Sequence, residues 1–570
     1  MKKICGLLCL FLLLCFNLQA QQKSDPSNFP KNYFQPPLHI APQASGSFGE
    51  LRANHFHSGT DYRTNQRSGY RVYASGPGFV SRVRVQIGGG GNIVYIDHPN
   101  GYTSVYMHLS RFSPEIAAVV KKKQYEEKQF AVDFSPKERI AFKAGDIIAY
   151  SGNTGGSTGP HLHFELRNTQ TEETLNPQLF NLYIPDERPP VISGFTVFRL
   201  GNAPFSENTP RDHMSLSGAP GKYSISGNPI IKVNGLTGFG VVAVDPNSAS
   251  ANRNGIYGME LQLDGQVIFQ SEFSGFFFQH SRAINAYIDY PTYILKSRRI
   301  QKLFKEPGNP LTIYNQLVNQ GLIDIKDQQV HQLLIKVYDV KGNTSNINFR
   351  VKYTPDLLID QSLKPQTILF KRDQENTFKR EDVAITMPAN TLYSDLYFLY
   401  SKSPQSAGHY SPTHHVHNRM IPVDGRYNIR IKPVNLPENL ESKAIIVDTR
   451  GRSHGGQYKD GFVTANILEL GSFYIGVDTK APLIRPQNIS PGKDMSRLSN
   501  ITFKISDDLS GIQSFNAYID GQWVIMNYDP KTATIWHDFE SGLSKGKHEL
   551  LLEVTDWKEN TSSYKASFLR

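Results

Sequence analysis

Apolar and polar positions alternate over short runs through most of the chain, which is the period of half-buried β-strands. Residues 70–74, 78–86 and 92–97 are alternating or apolar and rich in β-branched side chains. His98-Pro99-Asn100-Gly101 is a tight-turn signal, so 92–97 and 102–109 predict a hairpin. Residues 139–142 and 147–151 flank a turn at Gly145-Asp146, and 161–167 is a further alternating strand. One segment breaks the period. Ser113-Pro114-Glu115 has the residue types of an N-cap, a first-turn proline and an acid that complements the helix dipole. The polar and apolar residues that follow suit about three or four helical turns, so 113–138 is read as a helical insertion between strands.

The expected fold class is therefore mainly β. An irregular leader (21–45), rich in Gln, Pro and Ser, precedes an antiparallel β-sheet domain at 46–185. A β-sandwich-like module at 186–355, a β-rich module at 356–477 and a C-terminal Ig-like β-sandwich at 478–570 follow. The second and fourth regions carry a weak internal repeat. Leu263-Asp264-Gly265 and HQLLIKVYDVKGNTS from His331 match Ile519-Asp520-Gly521 and HELLLEVTDWKENTS from His548. Each copy has a strand, a DG turn and a late strand closing on Asp-x-x-x-Asn.

Composition changes this picture at the N-terminus. Lys2 and Lys3 precede an apolar run at 4–16, and a small residue, Ala20, stands before Gln21. This is the anatomy of a secretory signal peptide (1–20), and the run is too short for a membrane span. Lipid modification of Cys15 is the rival reading. All three cysteines lie inside this segment, so the mature chain has no disulfides, and any metal site in it must use His, Asp or Glu. No later apolar run is long enough for a transmembrane segment. The net charge of +10 is modest for the chain's length. It suits an anionic envelope surface as well as a merely soluble basic protein. The expected address is periplasmic or envelope-associated, or secreted.

The chemistry concentrates in four fragments: His57-Ser-Gly-Thr-Asp61, Tyr106-Met-His108-Leu-Ser110, the loop SGNTGGSTGP (151–160) and His161-Leu-His163-Phe-Glu165. On a strand, alternate residues share a face. His57, Gly59 and Asp61 then point one way, and so do His161, His163 and Glu165, with Leu162 and Phe164 opposite in the core. Imidazoles and a carboxylate aimed from neighbouring strands can converge on one divalent ion, and donors without thiolate suit Zn²⁺. His55 shares this pattern without the Asp61 spacing. Other features read as structural: the loop lacks the Gly-Lys-Ser/Thr of a phosphate cradle, and His409, His414, His415 and His417 read as an exposed loop rather than a second metal site. Asp507 and Asp508 read as turn residues, since no D-x-D-x-D-G loop surrounds them.

Together, H-x-x-x-D, Y-x-H-L-S and G-x-T-G-x-S-T-G-P-H-L-H-F-E resemble the lysostaphin-type zinc endopeptidases that cut peptidoglycan cross-bridges, over roughly residues 46–168. The resemblance implies an antiparallel sheet with a groove. It makes His57, Asp61 and His163 the zinc ligands, and His108 and His161 a catalytic pair beside a metal-activated water. The implied activity is that of an exported zinc endopeptidase acting on peptidoglycan, with no nucleic acid partner. The C-terminal β modules are then positioning devices or surfaces for envelope proteins. Two alternatives are a wall-binding scaffold that regulates other hydrolases, and a secreted peptidase acting on proteins. The insertion and the leader are candidates for a groove wall or a cover over the site.

Overall fold

A computed structural model describes residues 24–182, 184–248, 252–359, 367–539 and 542–570. The signal-peptide and Cys15 readings fall outside these residues. The described chain is mainly β, in several sheets. No helix among the described residues is long and apolar enough to cross a membrane.

The N-terminal part comprises β1 (Ala44–Gly46), β2 (Thr60–Arg63), β3 (Arg71–Tyr73), β4 (Gly78–Val85), β5 (Asn92–Asp97), β6 (Tyr102–Met107), β7 (Arg111–Phe112), α1 (Pro114–Glu127), β8 (Val132–Phe134), β9 (Ala141–Phe142), β10 (Ile147–Tyr150), β11 (His161–Asn168) and β12 (Thr174–Leu175). The main sheet runs β1-β2-β11-β6-β5-β4-β8, with β12 on β11 and β9 on β4, and β3-β10-β7 form a small second sheet. The β5–β6 hairpin turns at His98–Gly101, where Gly101 takes φ 84°. Period-two alternation sorts β11 into two faces. Leu162, Phe164 and Leu166 are fully buried in the core with Tyr62, Tyr106 and Val94, while His161, His163 and Glu165 face a cavity on the other side.

The helix starts as predicted, but Ser113 makes no side-chain cap, and its buried Oγ lacks a partner among the described residues. Ile116 and Val120 hold α1 to the core. Behind it, β8 extends the main sheet by pairing with β4 and places Asp133 against Arg82 (2.6 Å) and Arg84 (3.0 Å). The described residues of the leader do not cover the site. Phe29, Phe34 and Leu38 are buried in the same core, and Phe29 stacks on Phe180 at 4.4 Å. No residue of 24–43 lines the cavity among the described residues.

The next unit is fused to this domain rather than tethered to it. β12 pairs with Gly275–Phe276, so the main sheet continues into the following region. Phe48 and Phe56 belong to the second unit's core, and the fully buried Phe56 ring lies 5.1 Å from Phe273 and 5.5 Å from Tyr287. Beyond residue 367, one core is shared by a five-stranded and a four-stranded sheet, and another beyond 478 by a four-stranded and a five-stranded sheet. The repeat is visible in side-chain pairs. His331 Nδ1 meets Asp264 and His548 Nδ1 meets Asp520, both at 2.6 Å, while Asn343 donates to Asp339 and Asn560 to Asp556, both at 2.7 Å. The last unit also folds back: Trp523 packs edge-on against Tyr125 of α1 at 5.5 Å, and Lys531 donates to the carbonyls of Asn153 and Gly155.

Phe56→Ala is expected to cost about 3–5 kcal/mol, as for buried Phe truncations in general. The urea midpoint of the transition that unfolds the first two units should fall accordingly.

Candidate metal centre and active site

The site is assembled by strand register. β2 and β11 are antiparallel with Asp61 opposite His163, and β11 pairs with β6 with His163 opposite Met107. Asp61, His163 and the residue after Met107, His108, are thus brought together by backbone hydrogen bonds. His57 arrives differently from expectation. It lies outside β2, on irregular chain, and is set in place by the buried Phe56 before it. Gly59 is required on this path, because a Cβ there would collide with the carbonyl of Phe164. His108 also departs from the predicted strand. It follows β6 with φ 61°, a left-handed conformation that re-aims its ring.

His57 Nε2, Asp61 Oδ1 and His163 Nδ1 form a triangle with every edge 2.9 Å. All three residues are buried. The opposite ring nitrogens decide what these atoms can be. His57 Nδ1 donates to the carbonyl of Ser47 (2.7 Å), and His163 Nε2 donates to Glu165 Oε1 (2.9 Å). A neutral imidazole has one N–H, so both rings turn a bare lone pair to the triangle. Two lone pairs and a carboxylate oxygen at this spacing repel unless a cation or a proton lies among them. The donor set of two imidazoles and one carboxylate suits zinc, with a coordination position left over.

His161 and His108 stand beside the triangle, their ring centroids 4.7 Å apart. Each is anchored on the glycine-rich loop, His108 Nδ1 donating to Thr154 O and His161 Nδ1 to Gly159 O, both at 2.8 Å. Their Nε2 atoms are the ring nitrogens not tied to the loop, and that of His161 lies 3.3 Å from Asp61 Oδ1. The loop holds this shape by packing backbone on backbone. At Gly155 (φ 71°) any side chain would strike Gly91.

Electrostatics follow from burial and these contacts. Burial would raise Asp61, but His57, His161 and His163 outweigh it and hold the carboxyl well below its ordinary range. Burial likewise opposes charge on His163, yet hydrogen bonds to Asp61 and Glu165 lift it to about 9. Burial, reinforced by the neighbouring His163 and His161, drives His108 down to about 3. Glu165, held at about 2 against its burial by Arg167 and His163, also accepts from Ser58 Oγ.

Three features had no sequence signal. Ser47 offers only a backbone carbonyl, and Arg52 reaches Asp61 Oδ2 at 2.8 Å from outside the motif. The cavity over the site, about 810 Å³, takes part of its wall from Phe277 and Phe278 of the second unit. His55 lines the cavity but faces Asn54, outside the triangle. The histidines at 409–417 make no metal cluster among the described residues. His409 stacks on Tyr474, His414 meets Tyr400, His415 sits between Ser403 and Ser472, and His417 pairs with Glu207.

Residues 55–125 and 131–177 match the model for peptidase family M23, and residues 367–478 match that for a Zu5-like domain. An uncharacterized metalloprotease of Haemophilus influenzae is 38% identical over 109 residues, 19% of this chain and 18% of that protein. The peptidoglycan DD-endopeptidase ShyA of Vibrio cholerae is 38% identical over 110 residues, 19% of this chain and 20% of that protein. Lysostaphin of Staphylococcus staphylolyticus is 31% identical over 109 residues, 19% of this chain and 18% of that protein. A solved zinc-containing peptidase from Vibrio cholerae is 27% identical, with 27% of this chain and 41% of that one covered and a TM-score of 0.20. The match thus spans about a fifth of the length of the curated relatives. The N-terminal region is a lysostaphin-like M23 peptidase domain, with His57, Asp61 and His163 as its candidate metal site.

Two outcomes are expected. Glu165→Gln removes the anion behind His163 and should weaken zinc binding about 10- to 100-fold, read by chelator competition. Metal-free protein should also lose stability as pH rises. A group whose folded pKa is raised stabilises fully below its ordinary value of 6.5 and ceases to do so as pH passes about 9. Thermal melts in chelator should follow this fall, and zinc, which requires neutral His163, should abolish it.

Proposed function

We propose that the chain is an exported zinc-dependent endopeptidase that hydrolyses peptide cross-links of bacterial peptidoglycan. His57, Asp61 and His163 hold the metal, and His108 and His161 form the catalytic pair. The observation that carries this reading is the set of four imidazoles grouped with Asp61, each with one nitrogen tied to a carbonyl or to the Glu165 carboxylate, three of them turning the other nitrogen to Asp61 Oδ1. Zinc, when bound, supplies a Lewis acid that lowers the pKa of water towards about 7 and polarises a carbonyl.

The protein's own groups do the rest. Thr154 takes the Nδ1 proton of His108 and so fixes the tautomer in which Nε2 is the acceptor. His161 is fixed in the same sense by Gly159. One of the pair takes the proton of the attacking water, and the other stabilises the oxyanion or protonates the departing amine. Arg52, Arg82, Arg84 and Arg167 line the cavity, each already paired with a carboxylate of the chain. The signal-like N-terminus supports an address in the envelope. The units at 186–355, 356–477 and 478–570, read as β modules with Ig-like sandwiches, position the domain on its substrate or on envelope partners.

Digestion of purified sacculi followed by mass spectrometry tests the reading. New amino termini should appear in stem or bridge peptides. Zinc binding without cleavage would favour a wall-bound regulator, and cleavage of proteins alone a general peptidase. His108→Ala and His161→Ala should abolish turnover and keep zinc, while His57→Ala and Asp61→Ala should lose it, as read by metal analysis. Equal zinc loss in all four would overturn the roles.

A further inference from the structure

A second cluster of metal-binding character lies at the seam between the peptidase domain and the unit that follows. Carboxylate oxygens of Asp186, Asp245 and Asp339 lie within 4.8 Å of one another. Asp186 is in the connecting segment, Asp245 in the strand Leu236–Pro246, and Asp339 in the turn between Val330–Tyr338 and Thr344–Tyr353. Asp339 is oriented by the amides of Lys341 and Asn343, and Asp186 by Ser248 and the Arg188 amide.

Two neighbouring oxygens have nothing to bind. Asp245 is 8% exposed and Asn254, its partner across the strand pair, 3% exposed, yet Oδ1 of each has no hydrogen-bond partner among the described residues. Both line, with Asp186 and Asp339, a cavity of about 20 Å³, the size that admits a water molecule or an ion. Orphaned oxygens this deep are costly. The Asn254 carbonyl oxygen on the same cavity adds a further acceptor to the three carboxylates.

We propose that Asp186, Asp245, Asp339 and Asn254 bind calcium. The donors are all oxygen, which selects a hard cation over zinc, and carboxylates with an amide carbonyl are usual calcium ligands. Burial, with Asp186 and Asp339 close by, pushes Asp245 up to about 8, as expected where the balancing charge is absent.

The repeat supplies a contrast. Asp478, Asp507 and Asp508 cluster in the last unit, and Asp186-Glu-Arg-Pro-Pro and Asp478-Thr-Lys-Ala-Pro open the two copies alike. There Asp508 is exposed and paired with Lys480 at 2.7 Å, so an ammonium already serves that carboxylate, although Asp507 Oδ1 has no partner among the described residues. The first copy's cluster, by contrast, is closed by the peptidase domain. Ser47, on the same cavity, bonds to Gly255 through its hydroxyl (3.0 Å) while its carbonyl holds His57. Calcium would stiffen the backbone behind that imidazole.

Titration of the zinc-loaded full chain with calcium tests this. One calcium per chain should bind at submillimolar to about millimolar concentration, the range of extracellular modules, and raise the melting temperature. Terbium at the site should show emission sensitised by Tyr257, which lines the cavity, and calcium should displace it. Asp245→Asn should bind at least about tenfold more weakly. Without calcium it should melt at or above the wild type, which shows that it folds. The proposal fails if calcium neither binds nor shifts the wild-type melt, or if Asp245→Asn keeps wild-type affinity.

Discussion

The pairing of β2 with β11 is the constraint on which the site depends. Opposite positions in an antiparallel pair share a face, so Asp61 and His163 meet because the backbone ladder aligns them. A slip of one residue would send His163 into the core and Leu162 into the cavity. Leu162, Phe164 and Leu166, all fully buried, make that slip prohibitive. The hydrophobic face thus specifies the polar one.

A buried polar cluster of this density is expensive unless each group has a counterpart. Here the counterparts are graded. Carbonyls of Ser47, Thr154 and Gly159 and the carboxylate of Glu165 each take one imidazole N–H. They settle the tautomers, and what remains is a concentration of lone pairs. The fold therefore spends its hydrogen bonds on the far side of the rings and leaves the near side to a metal. Arg52 offsets part of the Asp61 charge, and Arg167 does the same for Glu165.

The strands that alternate cleanly were legible in the chain, and so were the 98–101 turn and the start of α1, because local pattern and turn chemistry determine them. The motif residues were legible for the same reason: His161, His163 and Glu165 share a face by period alone. What local pattern could not carry was tertiary. His57 lies outside a strand, and its position comes from Phe56 lodged in a core built mainly by residues beyond 190. His108 leaves the strand through a left-handed residue, which no alternation announces. The leader, irregular in sequence, is nonetheless an aromatic strap of the core. The histidines at 409–417 lie close in sequence, but β-pairing disperses them to unrelated partners.

The lodging of Phe48 and Phe56 in the neighbouring unit has a bearing on how this protein can be cut. In this chain the first two units stand or fall together, since excision at the linker would bare aromatic rings to water and unmoor the loop that bears His57. A proteolytic cut between those two units would accordingly be punished at the chemistry itself.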